Sequence, residues 1–317
     1  TMIDYGATFK RLREDKGLKI VDLEQPNISR SLIGKFERGQ TRISADRLDK
    51  LLSDMGVSHD EFLFLGGDRS DNYIYMKLHE MGVQTGEPKE MQQLEAMITR
   101  STNDLKHGRG GIGARFMREF GIMLKYGIDK ETDKQFYDRV EVKKHVQPAV
   151  DFLKQAETWG RIELDIFTLF YPGMSPTDLL ALGRLAIKRA HFYSQLRTEQ
   201  MRLVNIIDVV FTGLIYTDIE GAAEMLALEE SVLKSMDEFM TNLTTQRLRL
   251  VYSKGILQML QGDVEGGYTQ ATSVVPAYEI AGMNQTAKFV QEAAKLTRKE
   301  ILAGNPDNIP HTYSMLI

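Results

Sequence analysis

Residues 29–44 read Ser29-Arg-Ser-Leu-Ile-Gly-Lys-Phe-Glu-Arg-Gly-Gln-Thr-Arg-Ile-Ser44, and this stretch decides the fold of the first part of the chain. Serine is typical of a helix N-cap and glycine of a helix C-terminus, so a short helix is predicted between Ser29 and Gly39. Ile33 and Phe36 are three residues apart and would share its buried face. The outward face then carries Arg30, Ser31, Gly34 and Lys35.

The residues on either side predict more small helices of the same kind. They are a first helix with Phe9 and Leu12 ending at Gly17, a second over 20–23 halted by Pro26, a fourth from Ser44 to Gly56, and a last turn over 59–65. Short amphipathic helices with these caps are typical of a helix-turn-helix, which lays one helix into the DNA major groove. We therefore predict a DNA-binding domain over residues 1–65.

The charged residues support DNA binding only through their positions along the chain, and not through its net charge. The whole chain has a formal net charge of -4, and residues 1–65 hold 11 Lys and Arg against 11 Asp and Glu. Arginine suits guanine edges, whereas lysine and a helix N-terminus suit phosphates. A neutral domain should bind promoter DNA weakly alone, so we expect a homodimer on two half-sites. The predicted DNA-binding residues are Arg11, Ser29, Arg30, Ser31, Gly34, Lys35, Arg38 and Arg42.

Composition excludes several other classes of protein. The chain has 317 residues, is 42% hydrophobic and 26% charged, and contains no cysteine, which excludes disulfides, thiolate catalysis and cysteine-ligated zinc. No run approaches the roughly 18 apolar residues of a membrane span, and no signal peptide is evident, so we expect a cytoplasmic protein. The scattered histidines predict no metal site, and no cofactor or enzyme activity is expected. Glu229 and Glu230 are interpreted as helix-surface acids.

The rest of the chain repeats. Residues 66–71 are a plausible linker, and residues 72–317 show helical spacing throughout. Asp218-Ile-Glu-Gly and Asp263-Val-Glu-Gly lie 45 residues apart, and steps of 45 reach turn signals near positions 83, 128, 173 and 308. A period of this length is typical of stacked helical hairpins. We therefore predict an all-α protein whose second domain is an α-solenoid of about five hairpins resembling tetratricopeptide repeats.

Such hairpins line a concave groove with the first helix of each pair, and helix-lined grooves take extended peptides. The predicted first helices run over 110–126, 157–171, 198–216 and 241–260. An arginine could hold a carboxylate, and an asparagine could pair with both halves of a peptide bond. The alternative is that these polar residues are solvated or bond to neighbouring repeats. The candidate peptide-binding residues are Arg161, Asp165, Thr168, Arg202, Asn205, Asp208 and Arg247, with Arg202 and Arg247 at equivalent positions 45 apart.

One glycine-rich motif resembles a nucleotide-binding site. Gly108-Arg-Gly-Gly-Ile-Gly113 has the spacing of a dinucleotide-binding loop, but that site needs a preceding β-strand. A helical pattern precedes it instead, so the stretch is predicted to be a loop between two helices.

Residues 1–65, called the head below, resemble a known family. Leu12-x-x-x-x-Gly17-Leu18 and Ile33-x-x-Phe36-Glu-Arg-Gly39 resemble the five-helix, XRE-type repressor fold. The longer pattern from Ser29 to Ser44 is similar to the Rgg group of regulators, and Trp159-Gly-Arg-Ile-Glu-Leu164-x-x-Phe167 resembles a signature of the Rgg body.

This resemblance implies both a function and residue roles. It implies transcription controlled by a short peptide pheromone, as in quorum sensing, by a cytoplasmic homodimer with no membrane partner. It implies that Arg13 pairs with Glu37 as a structural clamp between the first and third helices. Thr168 stands where the family pattern leads us to expect asparagine, which shifts the expected peptide contact towards Asn205.

Other functions stay open on the sequence alone. The solenoid could be a protein-interaction scaffold whose head only dimerises. The chain could equally be a regulator that answers to a non-peptide ligand or to none.

Overall fold

The computed structural model describes residues 4–67, 88–127, 136–189, 197–236, 243–306 and residue 309. The chain divides into two units, Thr1–Gly82 and Val83–Ile317. Within the described ranges the regular structure is helical apart from one isolated β-bridge between Gln25 and Ile28. The predicted all-α class is therefore confirmed.

The first unit contains the five predicted helices. They are α1 (Tyr5–Asp15), a 3-10 helix (Ile20–Leu23), α2 (Arg30–Glu37), α3 (Ala45–Asp54) and α4 (His59–Leu65). Their apolar faces meet in one core, in which Phe9, Ile33, Leu51 and Phe62 have no exposed surface. The rings of Phe9 and Phe36 lie 5.6 Å apart and join α1 to α2. The buried face predicted for α2 is thus correct.

Most of the predicted capping residues set the helix ends, whereas Ser44 precedes α3 without a capping hydrogen bond from its side chain. The Ser29 hydroxyl oxygen accepts a hydrogen bond from the Leu32 backbone N–H at 3.3 Å at the start of α2. Gly17, Gly39 and Gly56 follow α1, α2 and α3 with φ of 70°, 67° and 64°, in the left-handed region that favours glycine. The short connections of the head are therefore specified locally.

The second unit is built from consecutive helices that pack on their neighbours. They are α5 (Pro88–Lys106), α6 (Gly111–Gly127), α7 (Val140–Gln155), α8 (Arg161–Phe170), α9 (Pro176–Arg189), α10 (Arg197–Leu214), α11 (Ile219–Ser235), α12 (Thr244–Leu260), α13 (Val264–Thr272), α14 (Val275–Ile280) and α15 (Asn284–Leu302), with 3-10 turns at Phe136–Asp138 and Tyr171–Gly173. The predicted first helices correspond to α6, α8, α10 and α12. Gly108 to Gly110 lie in the loop between α5 and α6, as expected, and Gly111 to Gly113 form the first residues of α6.

The repeated Asp-x-Glu-Gly motif opens the second helices α11 and α13. Asp218 accepts a hydrogen bond from the backbone N–H of Gly221 at 2.9 Å, and Asp263 accepts one from Gly266 at 3.1 Å. A Cβ added to either glycine would lie 2.5 or 2.4 Å from the capping carboxylate. The motif is therefore an N-cap at the start of both helices, and its 45-residue spacing is that of α11 and α13, whereas α7, α9 and α11 begin 36 and 43 residues apart.

Trp159, the one tryptophan of the chain, lies in the core of this unit. It has no exposed surface, packs against Phe167 at 5.8 Å between rings, and donates from Nε1 to the Leu153 carbonyl oxygen at 3.1 Å. The side chain thus joins the end of α7 to α8.

Some predictions fall outside the described ranges. The linker expected over residues 66–71 begins with Gly66 and Gly67, which follow α4, and its remaining residues are not described. The same holds for the turns expected at positions 83, 128 and 308.

No helix within the described ranges combines the length and apolar character that a membrane span requires.

Candidate DNA-binding face and ligand-binding helices

The outward face of α2 carries most of the side chains predicted to contact DNA. Ser29, Arg30, Ser31, Lys35 and Arg38 are exposed on or beside this helix. Arg42, in the loop before α3, is exposed as well. The face therefore combines four cations with two hydroxyl groups and a helix N-terminus.

Two of these cations have partners within the head. Arg30 Nε lies 2.7 Å from Glu24 Oε2, with 61% of the Arg30 side chain exposed. Arg38 donates from Nε to the Gln40 side-chain oxygen at 3.1 Å. The Glu24 carboxylate therefore reduces the positive charge of this face at the N-terminus of α2.

The expectation that Gly34 faces outward is wrong. Gly34 is buried, because the Arg38 side chain folds back along α2 and covers it. A Cβ built on Gly34 would meet Arg38 Nη1 at 3.3 Å and Ile20 Cδ1 at 3.9 Å. The guanidinium of Arg38, rather than Gly34, forms the surface at this point.

Arg11 lies apart from this cluster. Its guanidinium donates from Nη2 to the Leu65 carbonyl oxygen at the end of α4. It is two residues from both Phe9 and Arg13, which face α2, so it projects from the opposite side of α1. Arg11 is therefore not part of the basic cluster on α2.

Arg13 and Glu37 form the ion pair that the family resemblance implied. Arg13 Nε lies 2.6 Å from Glu37 Oε1 and Nη2 lies 3.0 Å from Oε2, with both side chains buried. Arg13 Nη1 also donates to the Leu18 carbonyl oxygen at 2.6 Å. The bond with Glu37 raises the pKa of Arg13 despite its burial. The pair fixes α1 against α2 and so holds the outward face of α2 in place.

In the second unit, polar contacts join α8 to α10. Arg202 Nη1 lies 2.7 Å from Asp165 Oδ1, and both side chains are partly exposed. Thr168 donates its hydroxyl to the Leu164 carbonyl oxygen of its own helix at 2.9 Å. Arg161 is exposed at the first position of α8. The predicted polar residues of α8 and α10 are thus brought together.

A second polar link joins α10 to α12, but through different residues from those predicted. Arg249 Nη2 donates to Asn205 Oδ1 at 3.1 Å, and Arg249 Nε lies 3.1 Å from Asp208 Oδ1. Asp208 is only 8% exposed, and its carboxylate pairs with Arg249. Its predicted contact with a ligand stays a prediction.

Arg247 also departs from the prediction. Its Nη2 donates to the Leu233 carbonyl oxygen in the last turn of α11 at 2.9 Å, away from Asn205. The 45-residue period selected Arg247 as the equivalent of Arg202, whereas the arginine that bonds back to α10 lies two residues later. The sequence feature that could have identified the contact with α10 was a second arginine, Arg249, among the apolar residues of α12.

Glu229 is the other residue that the sequence analysis misplaced. It has no exposed surface, and neither carboxylate oxygen has a hydrogen-bond partner in the part of the chain that the structure describes. Burial, and after it the nearby Asp208, raise the pKa of Glu229 to about 8, while Arg249 opposes the shift. Glu230, next to it, is a surface acid as expected: bonds from Lys254 and Lys234 lower its pKa to about 2.

Comparison with known families identifies the chain. Residues 119–292 match the family model described as the C-terminal domain of the HTH-type transcriptional regulator Rgg. The chain belongs to the Rgg family of regulators. Residues 9–62 match a helix-turn-helix family model, which covers α1 to α4. The Rgg match runs from the later part of α6 into α15, and so includes the polar links between α8, α10 and α12.

Solved structures share this fold over nearly the whole chain. The SHP pheromone receptor Rgg2 of Streptococcus dysgalactiae is 18% identical with a TM-score of 0.70, covering 92% of this chain and 98% of its own. A transcriptional regulator from Listeria monocytogenes EGD-e, itself described as putative, is 20% identical with a TM-score of 0.74, covering 95% and 99%. A bacterial peptide pheromone/receptor complex is 15% identical with a TM-score of 0.62, covering 94% and 98%.

Proposed function

We propose that this Rgg-family regulator binds promoter DNA through α2 and changes its activity when its helical repeats bind a short peptide. The observation that carries the proposal is one chain that contains both a capped helix-turn-helix and an Rgg repeat domain. The fold is shared with proteins described as a pheromone receptor and a peptide pheromone/receptor complex. Those descriptions support a peptide as the ligand class here.

The proposed DNA contacts are divided between bases and phosphates. Arg30, Ser31 and Arg38 lie along the outer face of α2, where guanidinium groups suit the O6 and N7 of guanine. Lys35, Arg42 and the N-terminus of α2 at Ser29 suit phosphates. Because the head is nearly neutral, affinity should depend on two heads that bind two half-sites, so we propose a homodimer.

The proposed peptide site lies where α8, α10 and α12 are linked. Arg161, Asp165, Arg202 and Asn205 are partly or fully exposed in this region. Charged and amide side chains among apolar helices can orient a short peptide through its termini and main chain. We propose that peptide binding shifts an equilibrium between arrangements of the dimer, with residues 1–65 as the DNA-binding domain, 66–71 as the linker and 72–317 as the peptide-binding and dimerisation domain. We place this regulator in the cytoplasm.

The proposed DNA binding is tested with a DNA duplex that the full-length chain selects from a random-sequence library. Arg30→Ala should weaken binding by about 5- to 150-fold, the range for loss of one bidentate base contact. Lys35→Ala should lower the slope of log affinity against log salt by about 1, as for loss of one phosphate contact.

Lys10→Ala is the matched control, because Lys10 lies on α1 and faces Glu14 at 3.9 Å. Unchanged affinity and salt dependence in both α2 variants, with circular dichroism unaltered, would contradict the assignment of α2 as the recognition helix.

The proposed peptide binding is tested by asking whether the full-length chain captures a peptide from a synthetic library of short random-sequence peptides. A captured peptide should bind with a negative heat-capacity change in calorimetry, because apolar surface is buried in the groove. It should also alter the affinity of the chain for the selected duplex. If the unmodified chain retains no peptide, the proposed peptide binding is contradicted. The proposed DNA binding is not affected by that result.

A further inference from the structure

The Asn205 carboxamide has a defined orientation. Its oxygen accepts a hydrogen bond from Arg249 Nη2 at 3.1 Å. A guanidinium group has donors and no acceptor, so only the oxygen end of the amide can face it. The Nδ2 group must therefore point elsewhere.

Nδ2 of Asn205 is the end that a ligand can reach. Asn205 is half-buried, and Nδ2 is not among the buried atoms without a partner, so solvent reaches it. Within the described residues, the Asn205 side chain makes one hydrogen bond, which its Oδ1 accepts from Arg249. The group therefore offers two N–H donors and needs an acceptor.

The side chain that orients Asn205 is itself held in place. Arg249 and Asp208 form an ion pair of 3.1 Å in which both side chains are about nine-tenths buried, at 10% and 11% exposure. Arg249 and Asp208 both act electrostatically on the buried Glu229 and Tyr278. A buried ion pair has little freedom to rotate, because leaving its partner would strand a charge in a medium of low dielectric constant.

We infer that Arg249 is a positioning residue for ligand recognition: it turns Asn205 so that its amide donates to a main-chain carbonyl oxygen or the terminal carboxylate of a bound peptide. The inference rests on the proposed peptide-binding function and specifies its chemistry. It also revises the sequence-based expectation that this asparagine engages both halves of a peptide bond. With the oxygen turned towards Arg249, Asn205 selects acceptor groups of the ligand.

The direct test is Asn205→Asp in the full-length chain, with the tightest-binding member of the random-sequence peptide library as the probe. Aspartate is isosteric and still accepts from Arg249, so the link between α10 and α12 is retained. It replaces the two donors with a negatively charged acceptor, so peptide binding should weaken by about tenfold or more. Peptide affinity equal to that of the unmodified chain would overturn the inference.

The positioning role of Arg249 is tested by rescue and by coupling. Lysine at position 249 still has only donors, so Arg249→Lys should keep most of the affinity. Arg249→Gln is combined with Asp208→Asn to avoid an unpaired buried charge, and glutamine can face Asn205 with either end. This pair should weaken binding in the unmodified chain yet have little effect in the Asn205→Ala background.

Equal losses in the two backgrounds would show that Arg249 does not act through Asn205, and would overturn its positioning role. Circular dichroism and the thermal midpoint confirm that each variant is folded before affinity is compared. If the unmodified chain captures no peptide, the proposed function fails and this inference fails with it. If it captures one and Asn205→Asp binds equally well, this inference alone fails.

Discussion

Arg13 and Glu37 are joined by two hydrogen bonds, of 2.6 and 3.0 Å, that connect α1 to α2 beneath the outward face of α2. Both side chains are buried, so the pair had to lose hydration on folding, and its attraction offsets that cost only while both partners are present. The pair therefore makes α2 sensitive to the loss of either residue.

Arg13→Met should destabilise the head by about 3–5 kcal/mol, because Glu37 would be left charged and buried without a partner. Hydrogen exchange of the α2 amides in the full-length chain measures the free energy of opening. The double variant Arg13→Met with Glu37→Leu should recover most of this loss, since an apolar pair needs no compensation. A double variant as unstable as the single one would contradict this account.

Glu24→Gln should strengthen DNA binding about two- to tenfold, because it removes a negative charge beside the proposed DNA-binding face and releases Arg30 from its 2.7 Å contact. The measurement is affinity for the selected duplex at several salt concentrations. Asp60→Asn, at the exposed start of α4, makes the same charge change elsewhere in the head and should have a smaller effect. Equal gains in the two variants would mean that net charge alone is responsible.

Glu229 should make the stability of the repeat unit fall as pH rises. Its pKa is raised from 4.5 to about 8 in the folded chain, so between these values the folded form holds a proton that the unfolded form has released. The resulting stabilisation is complete below about pH 4.5 and is lost as pH rises through 8, by up to about 1.4 kcal/mol per pH unit.

Glu229→Gln should reduce this dependence, because a neutral amide cannot ionise beside Asp208. The remainder comes from Asp208 itself, whose pKa is also raised by burial although Arg249 opposes the shift. Urea denaturation at pH 6 and pH 8 measures the free energy of unfolding of both chains. Glu230→Gln is the matched control, since Glu230 is already ionised throughout this range by its bonds with Lys254 and Lys234. An unmodified chain that is equally stable at the two pH values would refute the assignment.

Gly267→Ala should destabilise the α12–α13 hairpin by about 1–3 kcal/mol or more. A Cβ there would lie 2.5 Å from the Gly255 carbonyl oxygen and 2.5 Å from the Met259 backbone nitrogen, and neither backbone atom can move away cheaply. Gly113→Ala in α6 meets nothing within 4 Å and should stabilise by up to about 1 kcal/mol. Thermal denaturation followed by circular dichroism compares the two variants.

The sequence predicted the features that depend on local chemistry. Ser29 and Gly39 define the ends of α2 because capping involves residues within one turn of each other. The Asp-x-Glu-Gly motif marked the starts of α11 and α13 for the same reason. These signals were sufficient for the helices of the head, the starts of α11 and α13 and the buried face of α2.

Predictions failed where the direction of a long side chain decided the outcome. Arg247 was selected by a period measured on the second helices, but two residues along a first helix rotate a side chain by about 200°, so Arg249 faces α10 instead. Gly34 was predicted to be on the outward surface of α2, yet Arg38 folds over it and buries it. Burial of Glu229 beside the partly exposed Glu230 depends on packing between α11 and its neighbours, which single-residue patterns do not contain.

Trp159 gives the two units of this regulator separate spectroscopic signatures. As the sole indole of the chain, sealed between α7 and α8, it emits from the repeat unit alone, whereas the head contains no comparable fluorophore. A red shift of its emission therefore marks exposure of the α7–α8 junction. Fluorescence and far-ultraviolet ellipticity recorded on one sample can thus show which loss of helix accompanies unfolding of the repeat unit.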